Sequence, residues 1–564
     1  MSANAEDLVF HGGVVWTGNP SRPWAQAVWI RNGLIRAVDT DEEVLSQAPI
    51  DAKRVSLDGA FVSPGLTDGH AHLISLGQGA DQVDLVGAES LSETLGRVQV
   101  AVTQRQAEES GGWIQGRGWD QNDWPEKAFP SREDLDRVSG DFPVALRRID
   151  AHATWVNTRA LTEAGITAAT KDPSGGKIHR DSQGEPTGIL IDNAGDLVAD
   201  IIPKPGPMTI RRYIRQAAQA LIRVGVTGVH DMGMSATELD VYRQMAAEEF
   251  VPQRVYAAFS VTDPQLPDVL AAGADPEWQG WFRLGMVKFY LDGALGSRGA
   301  ALLRPYEDDP SNQGLFVSDR AQVEADLEAC LNAGFQIAMH GIGDAANRMA
   351  LEVWGETLEK GAKPSVLLKS PFPSSFLGDV SQSRPSFRIE HAQVIHPNDL
   401  DRFADLGVVA SIQPTHCTSD MPWAPDRLGQ DRLAGAYAWR SLRTRGVLLV
   451  SGSDFPVESH NPLYGLYAAV TRQPVSGESK PGWAPEERLD RSEALVSFTA
   501  APAYASGDLH QWGTLQAGKK ADLVIWSENL VTCDPEKILD ADCVLTMIDG
   551  VVVWTGPTFS WDSE

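Results

Sequence analysis

The strongest constraint on the fold is a regular alternation of apolar, strand-like runs with helix-like stretches through the middle of the 564-residue chain. Such alternation is typical of a parallel α/β sheet, because each parallel strand needs a crossover before the next one. Eight runs qualify as strands, the number that closes a triosephosphate-isomerase-type (β/α)8 barrel. They are residues 61–66, 225–230, 253–259, 283–290, 335–340, 387–391, 408–413 and 447–452.

The two ends of the chain resemble each other and differ from this middle. Residues 7–39 and the C-terminal runs ADLVIW and VLTMIDGVVVW are short β-type segments broken by turn signals such as Asn-Gly and Asp-Gly. Short strands need partners that bury their apolar faces. We therefore expect a small β-sandwich built from residues 1–63 and 500–564, with the barrel spanning residues 64–499.

Two stretches exceed the needs of a minimal barrel. Residues 73–205 separate the first two strands and are rich in turns and tryptophan, so we expect an inserted subdomain there. Its tryptophans either form an apolar wall for a substrate or pack in the subdomain's own core; they are Trp113, Trp119, Trp124 and Trp155. Residues 361–385 are rich in Ser and Pro and predict a long surface loop.

Composition excludes several classes of partner. Acidic residues outnumber basic ones by 76 to 48, and the formal net charge of −28 disfavours binding to nucleic acid or to an anionic membrane. The chain has no apolar run of the ~20 residues that a membrane helix needs, and its N-terminus lacks the pattern of a signal peptide. Its four cysteines form no CxxC pair, which argues against a thiolate zinc site. We expect a cytoplasmic protein.

The most informative motif is PGLTDGHAHL at residues 64–73, in which Asp68, His70 and His72 alternate at the end of the first strand. Alternate residues of an extended strand face the same side, so both imidazoles can point into the barrel mouth and bind one cation. A single histidine is more often structural. An alternating pair that ends a strand, in a chain with only 12 histidines, favours a metal site.

Three further residues follow other predicted strands. His340 and His391 end strands five and six, and Asp454 lies just beyond strand eight. The carboxyl ends of barrel strands meet on one face, which carries the chemistry in such folds. Either histidine alone is equally consistent with a satisfied core residue. As a set with a carboxylate, they match the ligands that zinc prefers.

Lys288 lies near the end of strand four in the run MVKFYLDG. A free ammonium is costly to bury, so this side chain needs water, an anion or a modification. Burial also lowers the pKa of a lysine, which permits its reaction with carbon dioxide to an anionic carbamate that can bridge metals. The alternative is an ion pair with a nearby acid such as Asp292.

Taken together, HxH after strand one, Lys on strand four, His on strands five and six and Asp on strand eight resemble the amidohydrolase superfamily. The runs GRGWDQNDW, VKFYLDGALGSRGA, MHGIGDAANR, RIEHAQVI and SGSDFPVESHNPL further resemble its YtcJ-like (amidohydrolase 3) branch, which includes N-substituted formamide deformylases. The resemblance spans nearly the whole chain, although nothing carries over to residues 361–385.

This resemblance implies two zinc ions, or a single one if the lysine is unmodified. The ligands of one ion would be His70, His72 and Asp454. Those of the other would be His340 and His391, with N6-carboxylated Lys288 between the ions. Asp454 is expected to take a proton from the attacking water and return it to the departing amine. His416 and His152 are candidates to stabilise the oxyanion, and each is equally consistent with a structural histidine.

The sequence and the resemblance together predict hydrolysis of a small-molecule amide or formamide at a C–N bond that is not a peptide bond. The same ligands would serve a cyclic amidase, a carbamate hydrolase or a deaminase. A regulatory relative that keeps the barrel without turnover is a further alternative, although such a protein has no need of Asp454. His230, which ends strand two, is predicted to support the site from the core. A homodimer is an open possibility for the assembly.

Overall fold

The computed structural model describes residues 7–107, 112–148, 153–173, 176–192, 194–361, 386–477 and 482–561. The chain forms two compact units by its contacts. One unit comprises Met1–Ser75 with Ile214–Glu564, and the other comprises Leu76–Tyr213. Residues 362–385, nearly all of the predicted Ser/Pro-rich loop, lie outside the described residues. No helix in the described segments is both long and apolar enough to cross a bilayer.

The larger unit is built on an eight-stranded parallel sheet whose strands follow one another in chain order. The ring closes where the amide of Asp454 donates to the carbonyl of His70 (2.8 Å) and the amide of His72 donates to that of Phe455 (2.9 Å). This arrangement confirms the predicted α/β barrel. The strands are Leu66–Ala71, Val226–Met234, Arg254–Ser260, Phe282–Tyr290, Gln336–Gly341, Phe387–His391, Val409–Ile412 and Leu449–Ser451.

The predicted first strand, residues 61–66, is wrong in its position. Phe61–Pro64 belongs to another sheet, where it lies between Val14–Trp16 and Leu523–Trp526. The barrel strand begins only at Leu66. The chain passes between the sheets at Gly65, where a Cβ atom would lie 2.3 Å from Thr227 Oγ1. Both segments are apolar and buried, so their pattern does not separate them.

Helices connect the barrel strands, and local signals mark where several of them begin. Ser235 and Glu238 form a capping box ahead of Ala236–Glu248, and the Asp319 carboxylate caps Arg320–Asn332. The other α-helices that follow the second barrel strand are Leu266–Ala272, Asp344–Glu359, Leu400–Asp405, Pro414–Asp420, Ala424–Leu428, Trp439–Thr444, Pro462–Thr471, Arg491–Ser497 and Ala500–Ala505. Leu73–Gly79 and Pro207–Ile222 cross the boundaries between the units.

Side chains fill the interior of the barrel, so it is a packed core and not a pore. Met232, Tyr256, Ala258, Met286 and Ala338 form one buried cluster there. Their strands contribute them at alternating positions, as inward-facing residues of a barrel must be. The polar residues at the carboxyl ends of the same strands therefore sit on a rigid base.

Strands from both chain termini share a sheet in the same unit. The six-stranded sheet has the order Val551–Thr555, Cys543–Ile548, Leu523–Trp526, Phe61–Pro64, Val14–Trp16, Trp24–Ala25, and a four-stranded sheet has the order Leu34–Asp39, Ala27–Arg31, Leu8–His11, Lys53–Ser56. One apolar cluster contains residues of both sheets, including Val28, Val55 and Met547. Helix Asp41–Gln47 packs beside the smaller sheet. The division of the chain at residues 63 and 500 stays a prediction.

The smaller unit, Leu76–Tyr213, has its own mixed sheet and core. The sheet order is Gly176–Arg180, Pro186–Asp192, Ala153–Val156, Val144–Arg148, Ile114–Trp119, Val83–Asp84, and its helices are Leu91–Ala107, Arg132–Ser139, Thr158–Glu163 and Asp196–Ala199. Trp119, Trp124 and Trp155 are fully buried with ring centroids 5.8–6.4 Å apart, and Trp113 is buried in a second cluster. These contacts favour the packing interpretation of the tryptophans over a substrate wall.

A buried ion pair joins the barrel to the C-terminal strands, and its loss should destabilise the larger unit. Arg254 on the third barrel strand donates to both carboxylate oxygens of Asp522 at 2.9 and 3.0 Å. Asp522→Asn leaves the buried guanidinium with Asp549 as its remaining acidic partner. Breaking a buried pair costs about 3–5 kcal/mol, so we expect a fall of about 3 kcal/mol in the free energy of unfolding, measured by urea denaturation.

The matched control is Asp401→Asn, which removes an exposed ion pair with Arg445. Exposed pairs contribute below about 1 kcal/mol, because water screens them and their side chains lose entropy. Equal urea midpoints for the Asp522 variant and this control would contradict the role given to the buried pair.

Candidate active site

The predicted site residues that the structure describes lie together at the carboxyl ends of the barrel strands. The ring centroid of His391 lies 4.8 Å from that of His70, 4.5 Å from that of His340 and 5.9 Å from that of His416. The rings of His70 and His72 are 5.9 Å apart. His152, in contrast, lies outside the described residues, so its proposed contact with the oxyanion stays a prediction.

Three of these side chains have the spacing of a metal site. One ligand atom each from His70, His391 and Asp454 lies within 4.8 Å of the other two, and all three residues are buried. Nitrogen ligands with a carboxylate are a donor set that suits zinc. The residues therefore form a candidate metal centre whose protein ligands come from strands one and six and from the segment after strand eight.

Hydrogen bonds at the outer ring nitrogen orient the histidines. The Nδ1 atom of His70 lies 2.5 Å from Glu390 Oε2, that of His72 lies 2.9 Å from the carbonyl of Met232, and that of His391 lies 2.9 Å from Gln413 Oε1. With Nδ1 engaged in this way, Nε2 is left for a metal. The Nε2 atoms of His70 and His72 face Asp454 Oδ1 at 3.5 and 3.2 Å.

Unpaired buried atoms at the same place fit a bound cation. His340 Nε2, His416 Nε2 and Asp454 Oδ1 are buried and make no hydrogen bond within the described part of the chain. His416 Nε2 nevertheless lies only 3.7 Å from Asp454 Oδ2, and His340 Nε2 lies 3.4 Å from Asp292 Oδ1. Buried polar atoms without a partner are costly. A metal ion would satisfy the His340 nitrogen and the Asp454 oxygen.

At His70, His340 and Asp454, the electrostatics of the site favour the protonation states that bind metals. Burial lowers the pKa of His70 to about 4 and that of His340 to about 3, with the charge of Lys288 acting in the same direction. Burial also opposes ionisation of Asp454, but the imidazoles of His70, His72 and His416 outweigh it and hold the pKa of that carboxyl below its usual range. Neutral imidazoles and an ionised carboxylate are the forms that bind metals.

Lys288 is buried beside this cluster. Burial lowers the pKa of its ammonium to about 8, although the nearby charges of Glu390 and Asp454 oppose that change. No ion pair between Lys288 and Asp292 occurs among the described residues. The Asp292 carboxylate instead accepts hydrogen bonds from the amides of Ala301, Ile342 and Gly343.

The backbone at two of the candidate ligands adopts an unusual conformation. His391 has a φ of 72° and Asp454 has a φ of 59°, in the left-handed region that non-glycine residues rarely occupy. Successive side chains of a strand alternate between faces, so Glu390 and His391 would otherwise point apart. The left-handed turn at His391 lets both residues reach the site. Such strained conformations cluster at functional sites.

Sequence reasoning missed the supporting role of the residues that hold the ligands in place, including that of Asp68. Glu390 contacts His70, Gln413 contacts His391, and the Asp68 carboxylate accepts hydrogen bonds from the amides of His70 and Ser453. The only signal for Glu390 was a carboxylate inside a strand that is otherwise buried. His230 is buried, and its Nδ1 atom lies 2.9 Å from Nη1 of Arg388, which agrees with the predicted supporting role.

Comparisons with known proteins agree with this geometry. The sequence profile of the amidohydrolase family matches residues 53–554. YtcJ of Bacillus subtilis (strain 168), described as an amidohydrolase, is 31% identical over 556 residues, which cover 97% of this chain and 99% of that protein. An N-substituted formamide deformylase of Arthrobacter pascens is 27% identical over 564 residues, covering 97% of this chain and 98% of that enzyme.

A solved structure supports the same relationship. A metal-dependent hydrolase from Pyrococcus furiosus superposes on the chain with a TM-score of 0.74 at 28% identity, covering 94% of this chain and 100% of that one. The predicted resemblance to the YtcJ-like branch is thereby confirmed. By the extent of the profile match and the identity with YtcJ over nearly its whole length, the chain belongs to the amidohydrolase family.

Proposed function

We propose that this protein is a metal-dependent hydrolase that cleaves a C–N bond, other than a peptide bond, in a small-molecule amide or formamide. The observation that carries the proposal is the buried group of His70, His391 and Asp454 at the carboxyl end of the barrel, with ligand atoms within 4.8 Å of one another. The similarity to a formamide deformylase and to a metal-dependent hydrolase supports the choice of reaction.

Two zinc ions are the cofactor we propose. One ion would be held by His70, His72 and Asp454. The other would be held by His340 and His391, with Lys288 between the two as a carbamate. Zinc at this position would polarise the substrate carbonyl and provide hydroxide from bound water at neutral pH. The lowered pKa of Lys288 supports the modification, because only the neutral amine reacts with carbon dioxide.

Asp454 is the residue we assign to proton transfer. Its carboxylate lies 3.2 Å from His72 Nε2, 3.5 Å from His70 Nε2 and 3.7 Å from His416 Nε2, and it is ionised at neutral pH. It can accept the proton of the attacking water and pass it to the departing amine, which is general acid–base catalysis. The unpaired Nε2 of His416 is suited to donate a hydrogen bond to the oxygen on which negative charge develops.

The same groups would also serve a cyclic amidase, a carbamate hydrolase or a deaminase, since fold and metal do not fix the substrate. Formamides, open-chain amides, cyclic amides, carbamates and aminated heterocycles should therefore be compared as substrates of the zinc-loaded protein. We expect the highest kcat/KM with an N-substituted formamide or amide. A preference of more than tenfold for a ring-opening or deamination substrate would replace this assignment.

Replacing Asp454 with Asn should abolish turnover and spare the fold. The change removes the proton acceptor but keeps the shape of the side chain, and loss of a general acid–base group costs roughly 10²–10⁴-fold in rate. We expect kcat on the best amide to fall by at least that factor, while the melting temperature of the metal-free protein stays within a few degrees. The measurements are steady-state kinetics and differential scanning fluorimetry.

Asp401→Asn, on the surface, is the matched control and should keep full activity. Full activity in the Asp454 variant would refute the mechanism. A wild-type protein that binds zinc tightly but hydrolyses no member of the substrate panel would favour the regulatory alternative.

Replacing Lys288 with Met should remove the bridging carbamate. In wild-type protein equilibrated with ¹³C-bicarbonate, we expect a carbamate signal by ¹³C NMR and about two zinc ions per chain by elemental analysis. The variant should lose the signal and retain at most about one zinc ion, because methionine supplies no anionic ligand. Added formate or acetate should partly restore activity by supplying a carboxylate.

The matched control is Lys519→Met, since Lys519 is also buried with a pKa lowered to about 8 but donates to Leu509 and Thr514 away from the histidines. Its variant should keep the carbamate signal. The carbamate assignment fails if the Lys288 variant keeps the signal, or if the wild type shows none with zinc bound.

A further inference from the structure

Glu390 lies between the candidate metal ligand His70 and the buried guanidinium of Arg388. Its Oε2 atom lies 2.5 Å from His70 Nδ1, while its Oε1 atom accepts a hydrogen bond from Nε of Arg388. Glu390 and Arg388 are both completely buried. They stand two residues apart on strand six and therefore face the same side of the sheet, toward strand one.

Arg388 uses its whole guanidinium to hold this arrangement. Besides binding both oxygens of Glu390, its Nη2 atom donates to the carbonyl of Gly69 at 2.7 Å and to Ser411 Oγ at 3.0 Å. Its Nη1 atom lies 2.9 Å from His230 Nδ1. The contacts reach strands one, two and seven, so the carboxylate of Glu390 is fixed relative to the backbone beside His70.

The anchor of His70 differs in charge from those of the other two oriented histidines. His72 and His391 use a carbonyl and an amide oxygen, both of which are neutral. Glu390 instead presents a carboxylate to His70, and both oxygens of that carboxylate are bound by the guanidinium of Arg388. Charge-assisted hydrogen bonds are roughly twice as strong as neutral ones and hold a tighter geometry.

We propose that Glu390 is a positioning residue that fixes the imidazole of His70 for metal binding, and that Arg388 keeps Glu390 in place for this purpose. The inference rests on the proposed function, since it concerns a metal ligand of that site. The carboxylate accepts a hydrogen bond from Nδ1–H of His70, which directs the Nε2 lone pair to the cation position beside Asp454 and makes that nitrogen a better donor to a cation. Neither residue touches the substrate.

The test is zinc affinity, measured by competition with a fluorescent chelator on metal-free protein. Partners that hydrogen-bond to a metal ligand typically change affinity 10–100-fold, so we expect Glu390→Gln to raise the Kd of the more tightly bound zinc by that factor. Ser497→Ala is the control, because it removes a buried hydrogen bond to Ser451 without touching a candidate ligand. Its zinc affinity should match that of the wild type.

A second variant separates positioning from stability. Glu390→Gln alone leaves the buried guanidinium of Arg388 without its carboxylate, which destabilises the fold. The double variant Arg388→Met/Glu390→Gln removes both charges, so its metal-free melting temperature should recover toward the wild-type value while zinc binding stays 10–100-fold weaker. Recovery of the melting temperature without recovery of the affinity is the result that a merely structural pair would not give.

Three results would overturn the inference: a zinc Kd within about twofold of the wild type in either folded variant, an affinity in the double variant that recovers together with stability, or loss of the folded state in both variants. Failure of the proposed function looks different, because the wild type itself would then bind no zinc.

A cobalt-substituted sample adds a spectroscopic check, since the absorption of bound Co²⁺ should change in Glu390→Gln and not in Ser497→Ala.

Discussion

The candidate site depends on the seam where the first barrel strand meets the last. The Asp68 carboxylate accepts hydrogen bonds from the amide of His70 and from the amide and hydroxyl of Ser453, which lies 385 residues later in the chain. The amide of Asp454 in turn donates to the carbonyl of His70. His70 and Asp454 are thus held side by side by backbone hydrogen bonds. Closure of the barrel therefore sets the spacing of their backbones.

Burial at this seam acts on acids and bases in different ways. It keeps the imidazoles of His70 and His340 neutral, since desolvation penalises their protonated forms. It does not neutralise Asp454, because several histidines surround that carboxylate and outweigh the desolvation. The pocket therefore combines neutral nitrogen donors with a fixed negative charge. Water at a surface would screen this contrast, whereas the low dielectric of the barrel mouth preserves it.

Much of this arrangement could be predicted from the sequence. Seven of the eight barrel strands followed from the alternation of apolar runs, and the positions of the histidines at strand ends followed from the barrel geometry. The position of Gly65 between two different sheets could not be predicted, because the buried strands on its two sides, Phe61–Pro64 and Leu66–Ala71, do not differ in apolar pattern. The positioning of His70 by Glu390 and Arg388 could not either. It depends on which inward-facing residues of strands one and six stand opposite each other, and one sequence does not show that register.

The left-handed backbone at His391 was equally invisible in the sequence, since only a few per cent of non-glycine residues adopt it. The resemblance to a family supplied the role of this residue, while the structure supplied the reason that two consecutive residues can serve one site. Sequence patterns thus predicted which residues meet, and tertiary contacts explained how they are held.

The six-stranded sheet contains strands from both chain termini, so it can be completed only late in synthesis on the ribosome. Phe61–Pro64 needs Leu523–Trp526 as its neighbour, yet that partner is made only after the whole barrel. At 5–20 residues per second, the wait is on the order of tens of seconds. Throughout it, a strand whose residues are all buried in the finished protein has one open edge, and open apolar edges invite pairing with other chains. Until its last strands emerge, the nascent chain therefore exposes an apolar strand edge that the finished protein covers.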